Sequence, residues 1–373
     1  MPIVIISIML TLFGGISYYI SRRIFQGLIG FMPRLHFGFV LGFFLLMTVV
    51  MLTGFAASML PIHQKARLIL NRVGMYWMGI FIYLLIFTIL TDITALIFRI
   101  SGFYAIRMAC IVILSLAVSL YGACHVNKIY KVSYEVTTEG KTDVSDMNIV
   151  MISDLHLGSI GSEKRLDKVV DEINALKPDL LCIAGDFFDT DFGSIQNPER
   201  AAEILKELDV KYGTYACLGN HDAGGTQQQM LDFLGKCGIT TLREEYVVID
   251  DRLILAGRLD SAPIGGFNGK KRGSFVELMD VGDTEMPVIV MDHNPANIGE
   301  YTTDADLILS GHTHKGQIFP GSLITDRMFE VDYGYYRRDE NSPHVIVTSG
   351  VGYWGMPMRV GTDCEIVQIK ING

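Results

Sequence analysis

One pattern recurs five times after residue 148 of this chain: a short apolar run ends abruptly in aspartate, asparagine or histidine. The plainest case is Leu307-Ile308-Leu309-Ser310, which is followed by Gly311-His312-Thr313-His314. Short apolar runs predict buried β-strands, and glycine lets the backbone turn sharply after such a strand. Imidazole is also the commonest protein metal ligand near neutral pH. The pattern therefore predicts a sheet with ligand-type side chains along one edge.

The other four strand ends carry the same chemistry: Asp154 with His156, Asp186, Asn220 with His221, and His293. Residues two apart on an extended segment project to the same side, so Asp154 and His156 can face one ion. Each strand end alone also fits a helix N-cap, a turn or a hydrogen-bonded histidine. Their joint occurrence favours a site. Carboxylate, amide and imidazole together suit Mn, Fe or Zn better than Ca, and there are enough ligands for two ions.

Helical patterns lie between these strands, at about 163–176, 198–208 and 226–236. Strands that alternate with helices predict a layered α/β domain. Ligand sites in open α/β sheets gather beyond the carboxyl ends of the strands. We therefore expect the five strand ends to meet at one edge of this domain, which is predicted to cover residues 148–373.

The preceding part of the chain is much more apolar. Four stretches each approach the ~20 residues that span a bilayer: 3–20, 36–60, 73–98 and 103–124. The first has no basic segment before it and no cleavage site after it, which favours an uncleaved span over a signal peptide. The sequence predicts an all-α transmembrane region with four helices over residues 1–126, and a connector over 127–147.

Charge separates the two parts. The net charge is −9, but residues 1–126 hold 8 Lys/Arg against one acid, which leaves 23 against 39 in the rest. An acidic soluble part argues against a nucleic-acid partner, which needs a basic footprint. Arg22 and Arg23 follow the first apolar stretch, so the N-terminus is predicted outside the cytoplasm. After four spans the α/β domain would be extracytoplasmic as well.

Two groups of charged residues have competing interpretations. Asp92, in the third apolar stretch, is either a functional acid or a carboxylate paired with a neighbouring helix, and the pairing is favoured. Lys270, Lys271 and Arg272 lie in a predicted loop. They either contact an anionic headgroup or substrate or belong to a solvated surface, and the solvated surface is favoured.

The ordered blocks resemble the signature of calcineurin-like metallophosphoesterases over about residues 148–370. They are Asp154-x-His156, Gly185-Asp186-x-x-Asp189, Gly219-Asn220-His221-Asp222, His293 and Gly311-His312-x-His314. The membrane-attached arrangement and the glycine-rich ending at 350–359 resemble the YkuE/YaeI-type branch of that family. The resemblance implies a four-layer αββα sandwich with a dinuclear centre of Mn, Zn or Fe.

The resemblance also implies roles for individual residues. One ion would be held by Asp154, His156, Asp186 and His314, and the other by Asp186, Asn220, His293 and His312. His221 would contact the phosphate and protonate the leaving oxygen. Asp189 or Asp222 would orient the His221 imidazole. Arg359 is a further expectation, as a substrate contact or an exposed surface arginine.

These expectations lead to a membrane-anchored phosphoric ester hydrolase. A hydroxide shared by two ions would attack phosphorus in line, and the bound cations would reverse the local sign of an acidic domain. The expected partners are the lipid bilayer and a phosphorylated small molecule or lipid. Two alternatives remain. One is a non-catalytic, metal-stabilised binding or sensor module; the other is a transporter with a regulatory domain, which should carry more charges inside its spans than Asp92 alone.

Overall fold

The computed structural model describes residues 2–57, 60, 62–138, 140–158, 162–279, 285–302 and 304–373. The chain divides into two compact units. The helical unit runs up to Cys124 and includes Gly355–Met358, and the α/β unit comprises His125–Trp354 and Arg359–Gly373.

Four long helices make up the first part of the chain: α1 (Pro2–Leu28), α2 (Phe37–Phe55), α3 (Gln64–Ile97) and α4 (Tyr104–His125). Three of them, α2, α3 and α4, are long and apolar enough to cross a membrane. A fourth span, at 3–20, stays a prediction. The predicted stretch 36–60 includes residues 58 and 59, which lie outside the described residues.

Asp92 of α3 is paired within the helical unit. Its Oδ2 accepts hydrogen bonds from Arg23 Nε at 2.7 Å and from the Tyr19 hydroxyl at 2.8 Å. Arg107 Nη2 donates to its Oδ1. The favoured interpretation of Asp92 as a helix-paired carboxylate agrees with these contacts. Arg23 belongs to α1 rather than to the loop that follows it.

The α/β unit contains short strands joined by short helices. The strands are β1 (Ile129–Thr137), β2 (Ile149–Ile152), β3 (Leu180–Ala184), β4 (Thr214–Cys217), β5 (Ile239–Thr241), β6 (Glu245–Ile249), β7 (Leu253–Gly257), β8 (Val288–Met291), β9 (Leu307–Ser310), β10 (Gly334–Tyr336), β11 (His344–Val347) and β12 (Cys364–Asn372). The helices are α5 (Ser162–Asn174), α6 (Pro198–Leu205), α7 (Gln227–Lys236), α8 (Phe275–Leu278) and α9 (Ser322–Met328). Short 3₁₀ segments occur at Phe192–Ser194, Pro295–Glu300 and His314–Gly316.

The strands form two six-stranded sheets, in the orders β1-β12-β2-β3-β4-β5 and β10-β11-β9-β8-β7-β6. Strands β2 to β5 run parallel, as do β7, β8, β9 and β11. Strand β12 was not predicted, yet it lies inside the first sheet, antiparallel to β2 and parallel to β1. The segment predicted as a connector, 127–147, contains β1 and so contributes an edge strand.

Successive side chains of the central strands point to opposite faces of the sheet and so pack into different layers. In β2, Ile149 and Met151 join a buried cluster shared by the two sheets, whereas Val150 and Ile152 pack against the helices outside the first sheet. Strands buried on both faces need apolar residues at every position, which is why they read as continuous apolar runs. The outer face of the second sheet is covered by α8 and the Pro295–Glu300 segment. The unit is therefore the predicted αββα sandwich.

Candidate metal centre

The two sheets bring their ligand-type strand ends together. The ends of β2, β3 and β4 contribute carboxylates, an amide and an imidazole, and the ends of β8 and β9 contribute imidazoles. Side-chain donor atoms of Asp154, His156 and His314 all lie within 4.8 Å of one another. His156 Nε2 lies 3.1 Å from His314 Nε2, which in turn lies 3.3 Å from Asp154 Oδ1.

A second group consists of Asp186, His293 and His312, whose donor atoms also lie within 4.8 Å of one another. His293 Nε2 lies 3.0 Å from Asp186 Oδ2, and His312 Nδ1 lies 2.9 Å from Asn220 Oδ1. His156 Nε2 approaches Asp186 Oδ2 at 3.8 Å and so links the two groups. All seven predicted metal ligands therefore converge.

The hydrogen bonds of the two His293 ring nitrogens indicate whether these residues suit a cation. Its Nδ1 lies 2.8 Å from the Ala184 carbonyl oxygen, so Nδ1 must donate. In the neutral ring, Nε2 is then an acceptor that faces a carboxylate oxygen of Asp186, and Nε2 is buried without a hydrogen-bond partner among the described residues. Two facing acceptors need a proton or a metal ion between them. Although burial opposes it, Asp186 raises the pKa of His293 well above its ordinary value.

The carboxylates of the site are held ionised. Burial disfavours the charge on Asp154, but His314, His156 and His293 outweigh that cost and keep its pKa well below the ordinary range. Burial likewise opposes ionisation of Asp186, and His293 more than compensates, so the pKa of Asp186 is lowered. Two anionic carboxylates among imidazoles form a donor set that suits a divalent cation of borderline softness.

The backbone is unusual at these positions. Five of the predicted ligands have φ between 48° and 71°: Asp154, His156, Asp186, His312 and His314. A left-handed conformation is uncommon for residues other than glycine and costs of order 1–3 kcal/mol in each case. Its repetition at the strand ends indicates that side-chain direction at the site outweighs local backbone preference.

The motif glycines leave space for these ligands. A Cβ added at Gly219 would overlap the Asp186 carboxylate, and one added at Gly311 would overlap the side chains of Ser153 and Asp154. The Ser153 hydroxyl lies 2.6 Å from Asp154 Oδ2, to which it donates. Glycine is therefore required at 219 and 311 because a ligand from another strand passes there.

His221 lies at the edge of the centre. Its ring centroid is 5.0 Å from that of His156, and its Nδ1 is 2.5 Å from the Thr190 hydroxyl. Burial lowers the pKa of His221, which favours the neutral imidazole. Donor atoms of Asp189, His156 and His221 also lie within 4.8 Å of one another and form a third such group.

Asp222 has a different environment from the one predicted. Its carboxylate accepts hydrogen bonds from the backbone N–H groups of Phe187, Phe188 and Gly219 at 2.9–3.2 Å. Burial, followed by the charge of Asp186, raises the pKa of Asp222 to about 7. Asp222 thus ties the β3 and β4 strand ends together, and the hydroxyl beside His221 Nδ1 comes from Thr190, which was not predicted.

Arg359 corrects a prediction. It was expected as a substrate contact or an exposed arginine, but it is 0% exposed. Its Nη1 donates to the His314 carbonyl at 2.8 Å, and its Nη2 donates to the carbonyls of Ser349 and Gly352 at 2.7 Å. Those two bonds use both Nη2 hydrogens, so the 3.1 Å approach to His314 Nδ1 is a packing contact. Arg359 therefore holds the backbone of His314, one of the proposed metal ligands, in place.

Arg272 is also more buried than a solvated loop predicts. Its guanidinium donates to Asp292 Oδ2 at 2.6 Å and to Glu300 Oε2 at 2.7 Å. Asp292 immediately precedes His293, so this ion pair braces the end of β8. Lys270 pairs with Glu245 at 2.9 Å, whereas Lys271 is exposed.

Asp260 is a strand-end carboxylate that was not predicted. It follows β7, is buried, and accepts the Ala262 N–H at 2.7 Å through Oδ1. Its Oδ2 has no hydrogen-bond partner among the described residues. Burial raises the pKa of Asp260, and the nearby His293 and His312 partly offset that effect. The strand-end pattern could have identified it, because Asp260 lies three residues after the apolar run of β7.

Comparisons with known proteins agree with this geometry. Residues 147–316 match a family model described as calcineurin-like phosphoesterase. An uncharacterized metallophosphoesterase of Aquifex aeolicus (strain VF5) is 36% identical over 248 residues, which cover 64% of this chain and 90% of that protein. The uncharacterized metallophosphoesterase YkuE of Bacillus subtilis (strain 168) is 32% identical, over 58% of this chain and 76% of YkuE.

Some relatives are longer than the matched region. A Danio rerio protein named transmembrane protein with metallophosphoesterase domain is 31% identical, over 61% of this chain and 54% of its own length. The alignment thus spans about half of that relative. Its name and the three candidate spans support a membrane protein here as well.

Proposed function

Because this chain belongs to the calcineurin-like phosphoesterase family, we propose that it is a membrane-anchored phosphoesterase that hydrolyses a phosphate ester or diphosphate. The observation that carries the proposal is the convergence of seven ligand-type side chains from two sheets, with His221 beside them. The anchor motivates a substrate at the membrane, and a lipid-linked phosphate is the class that we favour.

Two divalent ions fit the site, with Mn, Zn and Fe as candidates. Asp154, His156 and His314 would hold one ion, Asn220, His293 and His312 the other, and Asp186 both. Such ions supply Lewis acidity, which polarises phosphoryl oxygens and lowers the pKa of water. Residues behind two of these side chains hold them in place: the Ala184 carbonyl accepts the His293 Nδ1 hydrogen, and Arg359 donates to the His314 carbonyl.

The protein's own proton donor is His221. If the Thr190 hydroxyl donates to Nδ1, the neutral ring carries its proton on Nε2. Water then forms the new P–O bond while the bond from phosphorus to the leaving oxygen breaks. His221 Nε2 gives its proton to that leaving oxygen, and the proton that the attacking water loses returns to the ring through solvent. General acid catalysis of this kind typically contributes about 10²–10⁴-fold.

A direct test uses the full chain purified in detergent. We expect bound Mn, Zn or Fe by elemental analysis and turnover of phosphate esters in a substrate screen. Asp154→Asn should lose metal and activity together, whereas His221→Ala should keep the metal and lose turnover. Asp251→Asn is the matched control, because Asp251 lies at an exposed turn with φ of 54° that Asn also tolerates.

The outcomes separate the alternatives. Metal binding without turnover of any ester, in the presence of an intact His221, would favour the non-catalytic binding or sensor module. Loss of neither metal nor turnover in Asp154→Asn would contradict the proposed ligand set.

Thr190 provides a finer test of the proton path. Thr190→Val removes the hydroxyl at nearly constant volume, and we expect kcat to fall about tenfold with KM little changed. Thr190→Ser should restore most of kcat, because it returns the hydroxyl. Equal losses in both variants would point to a packing role for Thr190 instead.

The side of the membrane on which the α/β unit lies is also a proposal. Arg22 and Arg23 lie near the carboxyl end of α1, which supports an extracytoplasmic N-terminus if α1 spans. With four spans, the α/β unit is extracytoplasmic. Alkaline phosphatase fused after Gly373 should be active and green fluorescent protein dark; the reverse pattern would place the unit in the cytoplasm.

A further inference from the structure

Helix α9 exposes its apolar face to solvent and turns a polar face toward the protein. Its polar Thr325 donates to Asp332 Oδ2 at 2.6 Å and so holds that side of the helix to the protein. Its apolar residues face solvent instead: Leu323 is 49% exposed, Ile324 59% and Met328 70%. At 100° per residue these three lie within one 140° arc. A surface helix normally buries its apolar face, so this face is built to contact something.

The helix is tied to the metal centre at both ends. Five residues separate its start from the His314–Gly316 segment, and the ring of Phe329, which follows its last residue, lies 6.0 Å from that of His312. Gln317 connects it to a second aromatic residue, because its side chain donates to the Trp354 carbonyl at 2.9 Å and accepts the Trp354 N–H at 2.8 Å.

Trp354 completes the surface beside the proposed proton donor. Its ring lies 5.9 Å from the His221 ring, and 36% of the residue is exposed. Phe319, before α9, is also half-exposed. We define the apolar surface by the exposed side chains of this region: Phe319, Leu323, Ile324, Met328 and Trp354.

We propose that the apolar surface binds the hydrocarbon chain of a lipid phosphate whose phosphoryl group lies at the metal centre. This inference rests on the proposed function and adds the surface that would recognise the hydrocarbon part of its substrate. Trp354 lies beside His221, and Phe329, next to the end of α9, lies beside His312, so a chain attached to a phosphate at the ligand cluster would extend along these residues toward α9. Segment 315–328 also carries two cations, Lys315 and Arg327, against one acid, Asp326, which suits an anionic amphiphile.

The size of the surface argues against a second copy of the chain as its occupant. Stable protein interfaces use about 20–30 residues on each side, and here five side chains are involved. One acyl or prenyl chain is matched by a few large apolar side chains, since each buried CH₂ contributes about 0.8 kcal/mol. The candidate spans place such lipids within reach of the protein.

The test compares butyl, octyl and dodecyl phosphate with the full chain in nanodiscs and Mn²⁺ present. We expect kcat/KM to rise about tenfold from butyl to octyl phosphate, since part of each added CH₂ is buried. The triple variant Leu323→Ser, Ile324→Ser, Met328→Ser should flatten this dependence. All three residues are exposed, so the substitutions leave the buried core intact. Val276→Ser, at a 68% exposed residue of α8, is the matched control and should keep the dependence.

A binding measurement is independent of turnover. The chain has two tryptophans, so a Trp77→Phe background reports Trp354 alone. Octyl phosphonate, which cannot be hydrolysed as an ester, should shift Trp354 emission to the blue, and the triple variant should weaken its affinity about tenfold.

Each outcome decides the proposal. Chain-length dependence that is absent, or unchanged in the triple variant, overturns it while leaving the phosphoesterase intact. Turnover of no phosphate ester overturns the proposed function, and the phosphonate titration then decides the apolar surface. Quenching of Trp354 by brominated nanodisc lipids before ligand is added would show that the bilayer covers the surface. A smaller sedimenting species in the triple variant than in the wild type would show a second copy there; either result overturns the proposal.

Discussion

Two regions of this molecule contain paired carboxylates, and they balance the negative charge differently. In the helical unit, Asp92 is bonded to Arg23, Arg107 and Tyr19. In the α/β unit, Asp154 and Asp186 face imidazoles. A guanidinium is permanently charged, whereas an imidazole can give up its proton and bind a metal. The Asp92 cluster is therefore complete in itself, whereas the strand-end cluster is suited to take up cations.

Asp186 and Asp92 should differ most in their effect on catalysis. Asp186→Asn should reduce ester hydrolysis about 10³-fold and lower the bound metal, because it removes a carboxylate shared by both ligand groups. Asp92→Asn should leave kcat within about twofold, since Asp92 takes no part in the chemistry. Steady-state kinetics and elemental analysis on both variants check this. Equal losses of activity would mean that the two carboxylates do not have separate roles.

Gly219→Ala perturbs the strand-end cluster without replacing any of the proposed ligands. The added methyl group would overlap the Asp186 carboxylate, so we expect metal affinity to fall about tenfold while the secondary structure is kept. Calorimetric titration with the metal ion measures the affinity, and circular dichroism measures the secondary structure. Gly225→Ala is the matched control, because a Cβ there meets nothing within 4 Å. An unchanged affinity in Gly219→Ala would contradict the close approach.

Asp92 should matter for stability instead. Asp92→Asn weakens three charge-assisted hydrogen bonds and leaves Arg23 and Arg107 without their anion, at a cost of about 2 kcal/mol in the free energy of unfolding. A chelator should destabilise the wild type through the other cluster, because a bound ion stabilises the folded state. We expect the two effects to add in thermal unfolding of the full chain. A chelator effect that disappears in Asp92→Asn would show that the clusters are coupled.

The smallest effect concerns His344, a buried histidine outside both clusters. Burial lowers its pKa, and Arg337 adds to this, so the folded state keeps the ring neutral. Its Nδ1 lies 2.8 Å from the Tyr335 hydroxyl and its Nε2 3.1 Å from the Thr137 carbonyl. The unfolded chain binds a proton near pH 6.5, so this contribution to stability is present above that pH and is lost as the pH falls below it.

His344→Gln removes that titration. Urea unfolding of the full chain between pH 7.5 and 5.5 should therefore show a smaller decline in stability for His344→Gln than for the wild type. An identical decline in both would mean that His344 does not stay neutral in the folded state.

The central strands and the ligand-type side chains at their ends were predictable because each depends on local pattern. Runs such as β3 are apolar at every position since both faces are buried, and polar residues begin where the strand leaves the core. Strand β12 was missed although it lies inside the first sheet, because its sequence carries Glu365, Gln368 and Lys370. Glu365 can be buried because its carboxylate accepts hydrogen bonds from the hydroxyl groups of Thr348 and Tyr333. The sequence pattern does not reveal these hydrogen-bond donors.

The apolar helices, the alternation of strands and helices, and the side chains able to bind metal can be read from the amino-acid sequence, because they follow from periodicity and residue chemistry. The tertiary structure decided where long polar side chains go. Arg359 reads as a surface residue until the carbonyls of His314, Ser349 and Gly352 surround it. Likewise, Thr190 reaches His221, and Asp222 binds backbone N–H groups, only because β3 and β4 are neighbours. Partners of a buried polar group come from distant chain segments, so their identity is a property of the fold.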